Sequence, residues 1–513
     1  MKTRLWAVLL VIPFLAICCR GNDNPVPDPA EVDAVLVING DSEFSWGCDG
    51  GTATLQFSCD YDWSVYIEED WVTADPVEGK AGGALQTVLT CAKNTRSSDR
   101  DMYVLLISGK TRVPVKVAQA GDPMAGAAAE LKSGDVVLAT NPLVEKFLAE
   151  VEYPDWPDEA TPRKTRIFDY YGGFDGKTLT WDNWETEWPD GDKPQAFSIR
   201  WNASDLESGK KMNLHLADAL GWSGDMEIAA GSLYVNITNL VPNDAYTYKV
   251  TTETGKTIAE GNFTTTGSLH QVFFSGNMTK VKGKEIKGSG CRNARDLGGW
   301  IGLGGKKIKY RKVYRGGRMN EKWSPYPLNA KGQAEVLFEG IGGELDLRGT
   351  SDVIFEPAVP GLAHCAPVIE EGGKSMLVKD HAQTKECFEF VLDCVRKNKP
   401  VYFHCSLGRD RTGTLDILLL GLLGVREGVI AKEYEVTYFA PVGYSVSSSD
   451  KETNKIPTFR NTRLAWVYSD VVPYFWELAG TGGTFAQGVE KYLLEVAGVS
   501  QDDIDAFRNL MLE

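Results

Sequence analysis

The residues that could do chemistry lie around residue 405 of this 513-residue chain. An apolar run at 401–403 precedes His404 and Cys405, and five residues separate Cys405 from Arg411. Thr412 and a long apolar segment follow. A thiolate is a good nucleophile, and a planar guanidinium can bind two phosphoryl oxygens at once. The pattern H-C-x5-R-[ST] therefore predicts a site for phosphate monoesters, built as a buried strand, a short loop and a helix.

The spacing has a physical reason. Five residues close a loop whose backbone N–H groups point inward at the start of the following helix, and such groups bind anions. The same positive potential should lower the pKa of the Cys405 thiol. Gly408 lets the backbone turn close to the ligand. The predicted substrate-binding residues are Ser406, Leu407, Gly408, Arg409, Asp410 and Arg411.

Other side chains have supporting roles in this hypothesis. Thr412 should donate a hydrogen bond to the thiolate, and His404 should orient the loop. The general acid, which protonates the leaving oxygen, is expected to be a carboxyl group. We favour Asp410, which lies inside the loop directly before Arg411; Asp380 and Asp352 remain open alternatives. This chemistry requires no cofactor and no metal.

Two similar patterns serve as comparisons. His364 and Cys365 repeat the His-Cys dipeptide, but the sixth residue after Cys365 is Glu371, so Cys365 is predicted to be structural. Trp-Pro-Asp occurs at 156–158 and at 188–190, more than 200 residues before Cys405. We reject both triplets as acid loops because of that separation.

Further motifs resemble the bacterial tyrosine/dual-specificity protein phosphatase family. They are Arg-Asn-Ala-Arg-Asp-Leu-Gly-Gly at 292–299, Val-Tyr-Arg-Gly-Gly-Arg at 313–318 and Asp-Leu-Arg at 346–348. The resemblance implies a cysteine-dependent phosphomonoester hydrolase that acts through a phosphocysteine intermediate. It implies phosphotyrosine substrates, in some members phosphoserine, phosphothreonine or phosphoinositides. Arg409 could contact a second phosphate, whereas Asp410 makes a phytase less expected. Asp296 is predicted to be scaffolding, and the roles of Arg295, Arg315 and Arg318 stay open.

The fold class follows from the patterns along the chain. Residues 268–513 alternate strand-like and helix-like segments, which predicts an α/β phosphatase domain with a largely parallel central sheet flanked by helices. Residues 33–121 alternate with a period of two, which predicts an all-β sandwich. Its motifs around Trp63, Trp71 and 94–100 resemble the BACON domain, a family thought to bind carbohydrate or to act as a spacer. Core packing of both tryptophans is favoured over sugar stacking.

A second mostly β region is predicted at 122–267. Its residues 240–250 resemble the corner of a fibronectin type III sandwich, where the Tyr246 hydroxyl would tie the loop to the strand.

At the N-terminus, Lys2 and Arg4 precede an apolar run at 5–17, which is too short to span a bilayer. Residues 1–19 resemble a lipoprotein signal peptide with Cys18 or Cys19 as the lipidated residue, and 20–32 would be a tether. A plain signal peptide or a short buried helix is the alternative.

Composition limits the function classes. There are 54 Lys and Arg residues against 70 Asp and Glu residues, a formal charge of −16, which argues against nucleic-acid binding. The remaining cysteines show no C-x-x-C spacing, so neither a zinc site nor a dithiol is predicted. We therefore expect an exported, lipid-anchored enzyme of the cell envelope, with a phosphorylated protein or phosphoinositide as substrate. The alternative is a surface lipoprotein whose β modules bind a glycan or a partner and whose α/β domain only senses phosphate; the intact loop favours the enzyme.

Overall fold

The computed structural model describes residues 32–153, 155, 191–276, 279–281, 284–286, 290–321, 328–440 and 470–513. The predicted signal peptide with Cys18 and Cys19, nearly all of the tether and both Trp-Pro-Asp triplets lie outside the described residues. Within the described ranges, no helix combines the length and the apolar character that crossing a bilayer requires. The chain divides into two compact units, Met1–Gly126 and Ala127–Glu513.

The first unit is a β-sandwich, as predicted. A four-stranded sheet has the order β1-β3-β7-β5, and a five-stranded sheet has the order β2-β9-β8-β4-β6. Alternation along the strands fills the core: in β9, Val115 and Val117 are fully buried, whereas Pro114 between Val113 and Val115 is exposed. The strands are β1 Leu36–Ile38, β2 Glu43–Trp46, β3 Gly51–Cys59, β4 Trp63–Tyr66, β5 Val72–Asp75, β6 Glu78–Gly79, β7 Gly82–Cys91, β8 Arg100–Ser108 and β9 Thr111–Gln119.

The two tryptophans of the BACON-like motifs belong to this core. Trp63 is 5% exposed and packs edge-on against Phe57, with ring centroids 4.8 Å apart. Trp71 is 4% exposed, and the Arg100 guanidinium lies 4.5 Å from its ring centre. The prediction of core packing is confirmed, and neither ring is available to stack on a sugar.

The second unit begins with β modules of its own. Its sheets have the orders β10-β12-β15 and β11-β17-β16-β13-β14. The predicted tyrosine corner is present: Tyr246 is buried, and its hydroxyl accepts a hydrogen bond from the Val241 N–H at 2.8 Å. The strands are β10 Ala129–Glu130, β11 Val136–Leu138, β12 Phe197–Arg200, β13 Met212–Asp218, β14 Ser223–Ile228, β15 Tyr234–Ile237, β16 Ala245–Thr252 and β17 Thr257–Thr266.

The α/β region follows. The further strands are β18 Phe274–Ser275, β19 Thr279–Val281, β20 Lys284–Ile286, β21 Gly290–Cys291, β22 Arg295–Asp296, β23 Val313–Gly316, β24 Gly343–Asp346, β25 Ala363–Cys365 and β26 Val401–His404. The central sheet has the order β22-β23-β26-β24-β25. Only β22 and β23 pair antiparallel; the other three pairings are parallel. The largely parallel sheet predicted from the sequence is confirmed.

Helices cover this sheet. The described helices of the unit are α1 Pro142–Glu150, α2 Ala330–Phe338, α3 Lys374–Lys379, α4 His381–Arg396, α5 Asp410–Leu422, α6 Glu427–Val436, α7 Val472–Ala479, α8 Phe485–Lys491 and α9 Gln501–Met511. Every residue of α5 from Thr412 to Leu422 is buried, which its apolar sequence explains.

Helix α1 has an unexpected location. It lies within the sequence of the second β region, yet Val144, Phe147 and Leu148 are buried in the core of the α/β region. The Phe147 ring packs edge-on against Phe439 with centroids 5.6 Å apart, and the Tyr153 hydroxyl hydrogen-bonds to the Glu435 carboxylate. This segment therefore completes the α/β core, although the chain reaches it before the second β region is finished.

Candidate active site

The loop predicted from the sequence lies at the carboxyl edge of the central sheet. Strand β26 ends at His404, residues 405–409 form the turn, and α5 begins at Asp410. Cys405 is 3% exposed. A thiol at this position faces the first turn of a helix, where unsatisfied N–H groups and the helix dipole favour an anion.

The carbonyl groups of the turn point away from the site. The Ser406 oxygen accepts a hydrogen bond from Arg318 Nη1 at 3.1 Å. The Gly408 oxygen accepts from Arg315 Nη2 at 2.8 Å and from Asn293 Nδ2 at 3.0 Å, and Asn293 Nδ2 also lies 3.2 Å from the Leu407 oxygen. Because a peptide N–H points opposite to its carbonyl, these bonds turn the N–H groups of the next residues toward the concave side of the loop.

Gly408 is required by this geometry. Its φ angle is +69°, a conformation that residues with a Cβ rarely adopt. A Cβ at this position would also lie 2.3 Å from the carbonyl carbon of Gly316. The loop can therefore pack against β23 only with glycine at position 408.

The Cys405 thiol has a pKa below its ordinary value. Burial acts to raise this pKa, but the positive charge of Arg411 and hydrogen bonds from the Thr412 hydroxyl and backbone N–H outweigh the effect of burial. The Thr412 hydroxyl is buried and has no hydrogen-bond partner within the described ranges, so it can turn toward the thiolate. The surroundings of Cys405 thus favour the thiolate more than those of an ordinary thiol do.

Arg411 is held at one end of its guanidinium. Nη1 donates to the Ile369 carbonyl oxygen at 2.9 Å, which fixes the plane of the group. Its remaining donors make no hydrogen bond to the described part of the chain. They are available for phosphoryl oxygens.

His404 belongs to the scaffold. It is fully buried, and its Nε2 lies 3.0 Å from the Glu344 carboxylate on the neighbouring strand β24. Burial lowers its pKa, but the Asp346 and Glu344 carboxylates raise it by more, so the pKa lies above the ordinary value. This position agrees with an orienting role and gives the ring no route to a substrate.

The three candidate acids have different surroundings. Asp352 accepts a hydrogen bond from the Ser406 hydroxyl of the loop. Asp410 forms an ion pair with Arg409 at 3.2 Å, and its side chain is 31% exposed. Asp380 lies at the junction of α3 and α4, where its carbonyl oxygen accepts from Thr384; among the contacts described it has none with the loop. The geometry brings Asp352 and Asp410 to the loop and leaves Asp380 apart from it.

Arg409 is turned away from solvent. It is 2% exposed, and its guanidinium pairs with the Asp410 carboxylate.

Cys365, the comparison cysteine, has its pKa raised to about 12, mainly by burial, and its thiol contacts Glu386. It lies on the edge strand β25, which agrees with the structural role predicted for it.

A buried network of charges supports the loop from behind. Arg295 pairs with Glu433, and Arg315 pairs with Asp416 at 2.5 Å and with Glu433 at 2.7 Å. Glu433 is buried, yet the charges of Arg295 and Arg315 lower its pKa to about 2; burial raises the pKa of Asp416. Arg315 and Arg318 thus position the loop. Asp296 accepts from His270, Gly298 and Arg311, which agrees with scaffolding.

Sequence reasoning missed Asn293 and Glu433 as loop supports. Asn293 lies in a motif that drew attention only by resemblance, although its positive φ of 61° marks an unusual backbone. Glu433 lies on α6, beyond the motif, and only its burial as a charged residue among arginines reveals its role.

Two family models match parts of the chain. Residues 286–513 match the model of the tyrosine phosphatase family, and residues 41–122 match the model of the viral BACON domain. A Cupriavidus necator protein named "putative tyrosine-protein phosphatase" is 29% identical over 167 residues, which cover 28% of this chain and 59% of that protein.

Two solved structures were compared with the chain. A Bacteroides ovatus GH5 xyloglucanase bound to a heptasaccharide is 16% identical, covers 21% of this chain and 27% of its own, and has a TM-score of 0.16. The FN1–FN3 domains of chicken CNTN1 are 10% identical, cover 46% and 67%, and have a TM-score of 0.13. These TM-scores are too low to support an argument. The family models and the sequence relative lead to one conclusion: residues 286–513 are similar to the tyrosine phosphatase family, and residues 41–122 are similar to the BACON domain.

Proposed function

We propose that this protein hydrolyses phosphate monoesters with Cys405 as the nucleophile and that phosphotyrosine in proteins is its principal substrate. The observation that carries the proposal is the set of hydrogen bonds from Arg318, Asn293 and Arg315 to the loop carbonyls. They pre-form an anion cradle around a thiol whose pKa is already lowered. A cradle built in advance stabilises the extra negative charge of the transition state without reorganisation.

The reaction has two displacement steps. The Cys405 thiolate attacks phosphorus, the S–P bond forms, and the bond to the leaving oxygen breaks with its electron pair going to that oxygen. A carboxylic acid protonates the leaving oxygen. Water then attacks the phosphocysteine, the S–P bond breaks to release the thiolate, and the carboxylate takes the proton from water. Thr412 stabilises the thiolate in both steps.

We assign the general acid to Asp352. Asp410, which the sequence favoured, is already engaged by the Arg409 guanidinium. The Asp352 carboxylate accepts hydrogen bonds from two hydroxyl groups, that of Ser406 in the loop and that of its neighbour Ser351, and it is partly exposed. The support for the assignment is this contact with the loop, made by a carboxyl group that is not engaged by Arg409.

The test is phosphate release by the full chain under reducing conditions. The substrates are phosphotyrosine, phosphoserine and phosphothreonine peptides, phosphoinositides and sugar phosphates. Cys405→Ser should abolish turnover while phosphate binding persists, and Arg411→Ala should remove both. Cys365→Ser is the matched control, since it removes a thiol outside the loop. Turnover that survives Cys405→Ser would refute the mechanism, and release confined to phosphoinositides would replace the proposed substrate class.

We also propose that the protein is exported and lipid-anchored through Cys18 or Cys19. The support is the charged start and short apolar run of residues 1–17. Metabolic labelling with a radioactive fatty acid should mark the wild-type chain and fail in the Cys18→Ser/Cys19→Ser double variant. Single variants would identify the modified residue. Label retained in the double variant, or absent from the wild type, would contradict the anchor.

A further inference from the structure

A cavity of about 460 Å³ lies between the second β region and the back of the α/β region, within the second unit. It is lined by Trp222 from the turn before β14, by residues 309–312 before β23 and by Pro400 before β26. Lys312 and Pro400 precede the amino ends of two parallel strands, whereas Cys405 follows the carboxyl end of β26. Four strand residues span about 13 Å, so the cavity and the catalytic loop lie at opposite edges of the sheet.

Two lysines at this cavity have only neutral partners. Lys309 Nζ donates to the Leu510 carbonyl oxygen at 3.0 Å, and Lys312 Nζ donates to Asn398 Oδ1 at 2.7 Å. Among the described residues, no carboxylate forms an ion pair with either ammonium group. In a chain with a formal charge of −16, two cations without a counter-charge at one cavity are unexpected.

The other charged side chains of the lining have ion-pair partners. Arg311 pairs with Asp218 at 3.0 Å and with Glu339. The Glu513 carboxylate lies 3.6 Å from Lys307 Nζ. Among the charged side chains of the lining, Lys309 and Lys312 are therefore the two that have no ion-pair partner in the described part of the chain.

Trp222 adds a flat wall and a donor. The Arg311 guanidinium lies 4.0 Å from its ring centre, and Phe338 packs against the ring edge-on at 5.3 Å. These contacts fix the orientation of the indole. Its Nε1–H has no hydrogen-bond partner in the described part of the chain.

We infer that this cavity binds a small multivalent oxyanion, a phosphate ester or a polycarboxylate, held by Lys309, Lys312 and the Trp222 indole N–H. The cavity volume is that of an ordinary metabolite site, and ligand sites are common between packed modules. Burial and the charge of Lys309 lower the pKa of Lys312. A bound anion offsets both effects and removes the repulsion between the two ammonium groups.

Site-specific lysine protection tests this inference. The full chain with Arg411→Ala, which removes phosphate binding at the catalytic loop, is acetylated with an amine-reactive ester while pyrophosphate or citrate is titrated, and mass spectrometry reports each lysine. Lys309 and Lys312 should be protected, while the exposed Lys306 is not. The Lys309→Gln/Lys312→Gln variant should bind the same probe about tenfold or more weakly, as loss of charge-assisted hydrogen bonds requires. Lys306→Gln is the matched control. Protection by pyrophosphate alone indicates a phosphate ester, and protection by citrate alone indicates a polycarboxylate.

Absence of protection by either probe, or equal protection of Lys306, would overturn the inference. If Arg411→Ala does not fold, Cys405→Ser replaces it, because the readout distinguishes the two sites by position. Trp222→Phe keeps the ring and removes only the N–H, and it should weaken binding severalfold. None of these results depends on turnover, so failure here leaves the proposed phosphatase activity untouched.

Discussion

The Arg315 guanidinium donates to the Gly408 carbonyl oxygen at 2.8 Å, which joins strand β23 to the turn of the catalytic loop. The same guanidinium binds Asp416 on α5 and Glu433 on α6. One fully buried side chain thus connects four structural elements. The shape of the anion cradle depends on it as directly as on the loop sequence.

Arg315→Lys should therefore damage both stability and turnover. Lysine keeps the charge but cannot reach the loop carbonyl and two carboxylates together, and breaking a buried ion pair costs about 3 kcal/mol or more. Urea unfolding should show this loss, and phosphate release should fall at least as much as the folded fraction does. The control is Arg396→Lys, whose partner Asp503 is at the surface, so its cost should stay below about 1 kcal/mol. Equal effects of the two substitutions would contradict the role given to Arg315.

Thr412→Val should shift the pH dependence of Cys405. The hydroxyl lowers the pKa of the thiol, so its removal raises that pKa. The alkylation rate by iodoacetamide rises as pH rises through the thiol pKa, and this rise should move to higher pH in the variant. Cys365 is an internal control, because its pKa of about 12 keeps it protonated at neutral pH. An unchanged or lowered pKa of Cys405 in the variant would show that the hydroxyl does not stabilise the thiolate.

The two loop-facing carboxylates can be separated by leaving group. Asp352→Asn should slow hydrolysis of esters with poor leaving groups about 10²-fold or more and have little effect on good ones, because only a poor leaving group needs a proton. Asp410→Asn removes the partner of Arg409 and should change both ester classes to a similar, smaller extent. Steady-state rates on a series of substituted phenyl phosphates measure both. The reverse pattern would return the acid role to Asp410.

Gly408→Ala should inactivate the loop. The added Cβ would collide with the Gly316 carbonyl carbon, and the turn would hold alanine at an unfavourable positive φ. The turn therefore cannot stay packed against β23. Loss of phosphate binding by calorimetry, with near-native far-UV circular dichroism, is the expected result. Gly304→Ala provides a control for the φ effect alone, since Gly304 also has a positive φ but open space around it. Full activity of Gly408→Ala would show that the loop is not held as described.

The sequence predicted the parts of the site whose residues are close together along the chain. A buried strand, five loop residues and an apolar helix fix the positions of Cys405 and Arg411 relative to one another, because the spacing itself closes the loop. The acid that we propose lies far from this segment in sequence. Asp352 is 53 residues from Cys405 and lies in the turn after β24. The parallel pairing of β24 with β26 brings the carboxyl ends of both strands to the same edge of the sheet, and with them Asp352 and the loop. Asp380 is nearer to Cys405 in sequence, but it has no contact with the loop among those described.

The supports of the loop could not be predicted for the same reason. Glu433 pairs with Arg295 and Arg315 across more than 100 residues, and an acidic residue on a helix usually faces solvent. The burial of the sandwich tryptophans was predictable because large aromatic side chains usually pack in a core. The location of helix α1 was not predictable. An amphipathic sequence indicates that one face of a helix is buried, but it does not indicate against which region of the protein.

Helix α1 has a consequence for how this protein could have been assembled by recombination. The BACON-type domain has its own core and could be gained or lost as a cassette. The second β region could not, because Val144 and Phe147 on α1 fill space among the α/β helices. A chain that began at Ser268 would lack α1 and would have a cavity in the α/β core. The α/β region therefore depends on a segment of the second β region, and recombination could not separate the two without loss of packing.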